Sequence, residues 1–336
     1  MLTSKSPRIF ELDVLRGVAC LLVVLGHFIL DIIPSGNWLW SIGGLGGKGV
    51  WLFFLISGFV IFMTVEQTHK PLDFCVSRFS RLFPTYWVAV IFSFLVIHLF
   101  HLEKENIGFL SSLLNLTMIQ SFLGVDNLDK VYWTLKVELL FYGWMFILLV
   151  SRNLKAIDSF LMAFLTISLL FILFIPQTNN VFSLRILNEI FILDYIHWFA
   201  LGIIFYKMYK KKELGMSSMI VIALSLFVMG LRSFSTENCL LNLSIVLIFI
   251  IVIFCKMSFI KPIAYIGSIS YALYLIHSNL GHVLLAKLTY FGINPVIAIL
   301  IVVTSLVFLA DMITKYIEVP LRMRIKDKYY QSYLPI

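Results

Sequence analysis

The sequence predicts an all-α, polytopic membrane protein of about ten transmembrane helices with both termini cytoplasmic. Three observations carry that prediction. Of 336 residues, 60% are hydrophobic and only 13% are Asp, Glu, Lys or Arg, a balance that soluble domains of ordinary composition do not reach. Apolar runs near the ~20 residues needed to cross a bilayer recur along the whole chain. The basic residues gather in alternate connecting segments, as the positive-inside rule requires of a multi-pass chain.

In chain order, spans are expected at 12–33, 49–66, 82–100, 133–151, 158–175, 189–206, 216–231, 240–257, 263–284 and 295–316. The first is read as an uncleaved helix, because its apolar run carries Arg16 and His27 and no small-residue cleavage site. Residues 107–123, IGFLSSLLNLTMIQSFL, are moderately apolar but rich in Ser, Asn, Thr and Gln. An eleventh span there would invert every later loop and carry Lys210, Lys211 and Lys212 outside. They are expected instead to form a re-entrant or interfacial helix at the outer face, tolerable where protein buries it. With ten spans, eighteen Lys and Arg occupy cytoplasmic segments. The outer loops hold only Lys48, Lys104, Lys130, Arg185, Arg232 and Lys287.

No soluble domain, repeat or low-complexity tract interrupts this pattern, so residues 1–336 read as a single integral-membrane domain without an appended soluble domain. The net charge of +8 serves topology and does not point to nucleic acid. Cys20, Cys75, Cys239 and Cys255 have neither zinc-site nor disulfide-framework spacing.

Polar residues inside such spans are candidate functional groups, since charge in a bilayer is costly unless it faces protein or a watery cavity. The stretch DVLRGVACLLVVLGHF holds Asp13, Arg16 and His27. At 3.6 residues per turn, Arg16 and His27 lie within about 20° on one helix face, separated by roughly 16 Å of rise. Glu138, in VYWTLKVELLFY, starts near the outer end of its span and can share a level with His27. Arg78 and Arg81, in CVSRFSRLFPTYW, flank the cytoplasmic mouth of the third span, with Pro84 expected near the helix start. In GSISYALYLIH, Ser270, Tyr274 and His277 share one stripe at i, i+4 and i+7.

Each has a plainer reading. Arg16 can pair with Asp13 or Asp311, and Arg78 and Arg81 can be snorkelling anchors. The Ser270, Tyr271, Tyr274 and His277 group can be packing. Asp194 and His197 sit one turn apart but lack a third ligand, so hydrogen bonding is expected and no metal site. Ser57-Gly58 is expected to mark a close helix crossing. Trp38, Trp40, Trp51 and Trp133 read as an interfacial belt first and sugar-stacking surfaces second.

The chain resembles the membrane-bound acyltransferase family 3, whose members move acyl groups, most often acetyl, onto cell-surface glycans and other hydroxyl acceptors. The stretches LDVLRGVACLLVVLGH, WLFFLISGFVIF, RFSRLFPTYW and YWTLKVELLFY carry the resemblance in order, with SYALYLIH and IEVP adding to it. It implies a multi-pass protein of the inner membrane, acyl-coenzyme A (most often acetyl-coenzyme A) as a donor substrate arriving from the cytoplasm, no bound cofactor, and a carbohydrate or lipid-linked glycan as acceptor. Membrane lipid is the other expected partner.

The residues fit those expectations on physical grounds. Two guanidiniums one turn apart, Arg78 and Arg81, can hold phosphate oxygens through charge-assisted hydrogen bonds, with Arg16 contacting the donor further along. His27 is the expected general base, because an imidazole of unperturbed pKa about 6.5 can take the proton of a weakly nucleophilic hydroxyl. Glu138 is expected to orient His27 or to hold the acceptor sugar. Ser270, Tyr271, Tyr274 and His277 are expected to line the channel or stabilise the oxyanion. A transporter or flippase would also bury charge along a stripe, and a non-catalytic polysaccharide-assembly scaffold would leave these residues dispensable.

Overall fold

The computed structural model describes residues 9–68, 70–100, 108–175, 181–211, 214–255 and 261–332. Lys5, Arg8, Lys104, Lys212 and Lys256, which contribute to the charge asymmetry, lie outside them. The described residues are all-helical, without strands.

The first helix, α1 (Phe10–Ile32), is the hub, packing against α3 (Gly46–Glu66), α12 (Lys261–Ser268), α13 (Ser270–Tyr290) and α14 (Pro295–Ile313). A short α2 (Trp38–Gly43), capped by Asn37, turns the chain between α1 and α3. The long α4 (Pro71–Phe100) follows, then α5 (Phe109–Asn115), α6 (Trp133–Val150) and α7 (Ile157–Phe174). Next come α8 (Phe182–Ile190), α9 (Ile196–Lys211), α10 (Met216–Arg232) and α11 (Thr236–Phe254). After α14, a π turn over Thr314–Glu318 leads into α15 (Val319–Gln331).

Seven helical segments among the described residues are long and apolar enough to cross a membrane, which makes this a multi-pass membrane protein. They contain α1, α3, α4, α6, α7, α11 and α14. The three other expected spans also fall on helices. Of these α9 and α10 are 16 and 17 residues long, and the 21-residue α13 carries a polar file including His277, Ser278, Asn279 and His282.

Close backbone crossings hold the bundle. A Cβ on Gly58 would lie 2.2 Å from the Phe199 carbonyl oxygen, and one on Gly202 would lie 2.0 Å from that of Leu55. Only glycine permits α3 and α9 to approach so closely, as small-residue crossings in membranes do. The expected crossing at Ser57-Gly58 is this one.

Several boundaries differ from expectation for identifiable reasons. Helix α4 begins at Pro71, so Arg78 and Arg81 lie inside it and Pro84 is an interior proline. Proline at the first position needs no N–H, so Pro71 takes the place expected for Pro84. The span expected at 189–206 starts at Ile196, because Ile192 adopts a positive φ of 48° that ends α8. The span expected at 263–284 is broken at Ile269 into α12 and α13.

Residues 107–123 do not form a spanning helix. Within the described part, the 7-residue α5 is followed by a positive-φ Met118 and a 3-10 turn over Gln120–Leu123. The polar residues explain the choice. Asn115 donates to the carbonyls of Ser111 and Asp126 and accepts from the Leu128 amide, all within 3.0 Å. Tyr86 Oη and Trp87 Nε1 on α4 donate to the carbonyls of Asn115 and Leu116 at 2.7 and 3.0 Å. A non-spanning segment is thereby satisfied by protein, as a re-entrant or interfacial element must be.

Candidate active site

The expected site residues gather around two cavities that meet at Tyr274 and Val50. The arginine-side cavity is narrow, about 90 Å³, and is lined by Arg16, Arg81, Ser57, Glu138, Tyr142 and the start of α13. The histidine-side cavity is about 500 Å³ and is lined by His27, Asp31, Lys130, Trp133, Ser278 and His282. Arg16 and His27, near opposite ends of α1, thus open into different spaces.

At the arginine end, α1, α4 and α6 bring three cations, Arg16, Arg78 and Arg81, and two carboxylates, Asp13 and Glu138, together. Arg16 donates to Asp13 at 3.3 Å, the local pair that its spacing suggested. It also feels the charges of Arg81 and Glu138. Arg78 lies over the rings of Phe74 and Tyr142, 5.9 and 6.0 Å from their centroids. Its Nη2 donates to Ser77 at 3.2 Å, while its buried Nε and Nη1 have no hydrogen-bond partner among the described residues. A guanidinium held over two aromatic rings with two donors unspent is prepared for an anion.

Glu138 does not hydrogen-bond His27, which corrects the expectation that it orients the imidazole. Its Oε1 accepts from Ser57 Oγ at 2.8 Å and from Tyr142 Oη. The physical reason is depth: α6 delivers Glu138 to the arginine-side cavity, beneath Tyr274, whereas His27 lies in the cavity beyond it. Sequence reasoning missed Ser57 and Tyr142. Tyr142 carried a signal, its i+4 spacing from Glu138, which places both on one helix face. Ser57 carried none, since its partner lies on another helix.

The partner of His27 is His277, with Nδ1 of His27 3.1 Å from Nε2 of His277. Nδ1 of His277 lies 2.7 Å from the Tyr274 carbonyl oxygen. A carbonyl can only accept, so Nδ1 of His277 carries the proton. In the neutral ring Nε2 is then an acceptor, and Nδ1–H of His27 must donate to it. Nε2 of His27 is left with its lone pair free, and no described residue hydrogen-bonds it. His277 is fully buried and lines neither cavity, so its place is behind His27. Asn279 reinforces that place, its amide N–H donating to Asp129 Oδ2 at 3.0 Å and its side chain to the Leu128 carbonyl at 2.9 Å.

The remaining members of the α13 group are wall residues of the arginine-side cavity. Ser270 Oγ donates to the Gly267 carbonyl at 2.8 Å and Tyr271 Oη to that of Leu82 at 3.0 Å. Tyr274 Oη is bonded to Thr134 Oγ1 at 2.9 Å and to the Val131 carbonyl at 3.2 Å. Their hydroxyls are committed to protein.

His282 and Asp31 were also missed. His282 Nε2 stands 4.0 Å from Asp31 Oδ2 at the edge of the histidine-side cavity. Asp31 follows His27 by four residues, a signal legible in the chain. No group of three or more His, Cys, Asp or Glu able to hold a metal occurs among the described residues. Asp194 instead pairs with Arg232 at 2.5 Å and accepts from Asn188 at 2.8 Å.

Comparison with known proteins bears on what such a site does. The chain is 27% identical over 288 residues to "Putative acetyltransferase ORF330" of the Acidianus two-tailed virus, covering 81% of this chain and 82% of that protein. No solved structure matches it. A family model described as an acyltransferase domain matches residues 9–315, nearly the whole described bundle and both cavities. The chain therefore belongs to acyltransferase family 3, the family its motifs resemble.

Proposed function

We propose that this protein transfers an acyl group, acetyl by preference, from acyl-coenzyme A to a hydroxyl of a cell-surface or lipid-linked glycan. The observation that carries the reading is the His27–His277 pair, which leaves one imidazole lone pair facing a cavity large enough for a sugar while arginines gather at the other end of the same helix. Loop charge directs the arginine end to the cytoplasm of an inner membrane. The protein acts as a single integral-membrane unit, with the thioester as a substrate and no bound cofactor.

In this mechanism Arg78 and Arg81 hold the phosphates of the donor, and its thin arm runs past Arg16, Glu138 and Ser57 toward Tyr274. Glu138 balances the arginine charge along that path and, through Ser57 and Tyr142, fixes its shape. The acceptor hydroxyl enters from the histidine side. Nε2 of His27 takes its proton as the oxygen attacks the thioester carbonyl, and His277 keeps Nδ1 as the donor nitrogen throughout. The C–O bond forms, the C–S bond breaks, and the proton passes from His27 to the departing sulfur. The products are an ester and free coenzyme A thiol.

Purified protein in detergent, mixed with acetyl-coenzyme A and surface glycan, should release thiol only when acceptor is present. Absence of turnover would favour a transporter or scaffold. Sealed vesicles of known orientation test the sidedness: donor on the Arg78 side should acylate an impermeant acceptor on the opposite side. Acylation confined to an acceptor on the Arg78 side would sink the two-sided route and leave acyl transfer standing.

A further inference from the structure

The last helix contains a basic face to which the donor reading assigns no role. In VPLRMRIKDKYYQ, Arg322, Lys326 and Tyr329 fall at i, i+4 and i+7 and so share one stripe. Tyr329 Oη donates to Asp73 Oδ1 at 2.8 Å, which fastens that stripe to the first part of α4. From this anchor α15 runs antiparallel to α4. Stepping back about 10 Å from Tyr329 reaches Arg322, and stepping forward about 12 Å from Asp73 reaches Arg81.

The charges confirm the alignment. Lys326 feels Arg78, Arg322 and Arg81, and Arg322 feels Glu318 and Arg81. On the α15 side the available carboxylate is Glu318, 4.0 Å from Arg322, since Asp73 is turned to Tyr329. Lys326 has no hydrogen bond or ion pair among the described residues, and Arg78 has two buried donors unused. Glu138 also acts on Arg78 from the cavity side, so four cations stand against two carboxylates, an excess that self-repels unless an anion joins it. The π turn over Thr314–Glu318 supports a functional origin, because the extra residue it inserts rotates the following helix by about 100° and so sets which face of α15 meets α4.

We infer that Arg322 and Lys326 complete, with Arg78 and Arg81, a four-cation site for the phosphate groups of the coenzyme A nucleotide, reaching the 3′-phosphate as well as the diphosphate. This rests on the acyl-coenzyme A reading of the donor. The site makes a polyanionic donor preferable to a neutral thioester of the same acyl arm.

The test compares kcat/KM for acetyl-coenzyme A, acetyl-dephospho-coenzyme A and acetyl-pantetheine in lipid-free detergent. Wild type should prefer them in that order. Lys326→Gln and Arg322→Gln should each shrink the preference of acetyl-coenzyme A over acetyl-pantetheine about tenfold, and Arg322→Lys should restore most of it. Lys326→Gln removes no hydrogen bond or ion pair among the described residues and keeps most of the stem, so it provides a folded variant. If wild type turns over acetyl-coenzyme A and Arg78→Gln shrinks the preference while Arg322→Gln/Lys326→Gln leaves it within twofold, the inference fails alone. No turnover of any coenzyme A thioester by wild type fails the donor reading with it. An effect of the double variant that appears only in phosphatidylglycerol vesicles would assign the two residues to lipid phosphate and overturn the proposal.

Discussion

The two cavities differ in how completely the protein uses its own polar groups. Around the arginine-side cavity most polar side chains other than Arg78 and Arg81 are bonded to protein: Glu138 to Ser57 and Tyr142, Ser270 and Tyr271 to carbonyls, Arg16 to Asp13. Around the histidine-side cavity, more than five times larger, His27 presents an unshared lone pair, and Asp31 and His282 sit at a loose 4.0 Å. A narrow path whose wall is satisfied suits a long, thin substrate that is held but not altered there. A wide chamber with an idle base suits the group that reacts. On the proposed function, that contrast separates holding from chemistry within one bundle.

The sharpest way to break this contrast is His27→Ala, which should lower kcat by about 10² to 10⁴ in a folded, membrane-inserted protein. Near-normal turnover would show that the wide cavity is not the reaction chamber. Next, His277→Leu should reduce kcat about tenfold to a hundredfold without touching substrate. His277→Gln, which can still accept from His27 and donate to the Tyr274 carbonyl, should recover part of the loss. Equal activity in the two variants would remove the tautomer argument. Third, Arg81→Ala should raise KM for the donor about tenfold to thirtyfold while kcat changes less, because a phosphate contact exists in ground and transition states alike. A fall in kcat with unchanged KM would move Arg81 from holding to chemistry. The smallest effect belongs to Ser57→Ala, a loss of about threefold in kcat/KM from one hydrogen bond to Glu138. A large kcat effect there would mean that Glu138 takes part in the reaction.

Much of the architecture was legible because bilayer physics leaves a clear trace. Hydrophobic length located the seven long apolar helices, loop charge argued against a span at 107–123, and helical phase put Arg16 and His27 on one side of α1. The boundary at Ile192 was not legible, because it depends on a local backbone turn inside sequence that carries no glycine or proline there, whereas Gly267 and Ser268 stood just before the break at Ile269. The residues that line the cavities were partly legible, but their pairings were not. His27 and Glu138 each line a cavity, yet their partners are His277, Ser57 and Tyr142, fixed by the relative depth of α1, α3, α6 and α13. Periodicity gives the face of a helix but not how far the helix slides against its neighbours. Arg322 and Lys326 shared that fate, since their phase toward α4 follows a π turn that no simple period anticipates.

Tyr274 stands where the two cavities meet, its hydroxyl tied to Thr134 and Val131. In a membrane that stores energy as an ion gradient, two watery recesses approaching each other from opposite faces are an electrical hazard. A single file of water through both would let protons leak. If the proposed route holds, the tethered phenol would insulate one from the other, with the thioester arm filling its own path and no continuous wire of solvent left when the arm withdraws. On the proposed two-sided route, reactants from two compartments would meet without a solvent path joining those compartments.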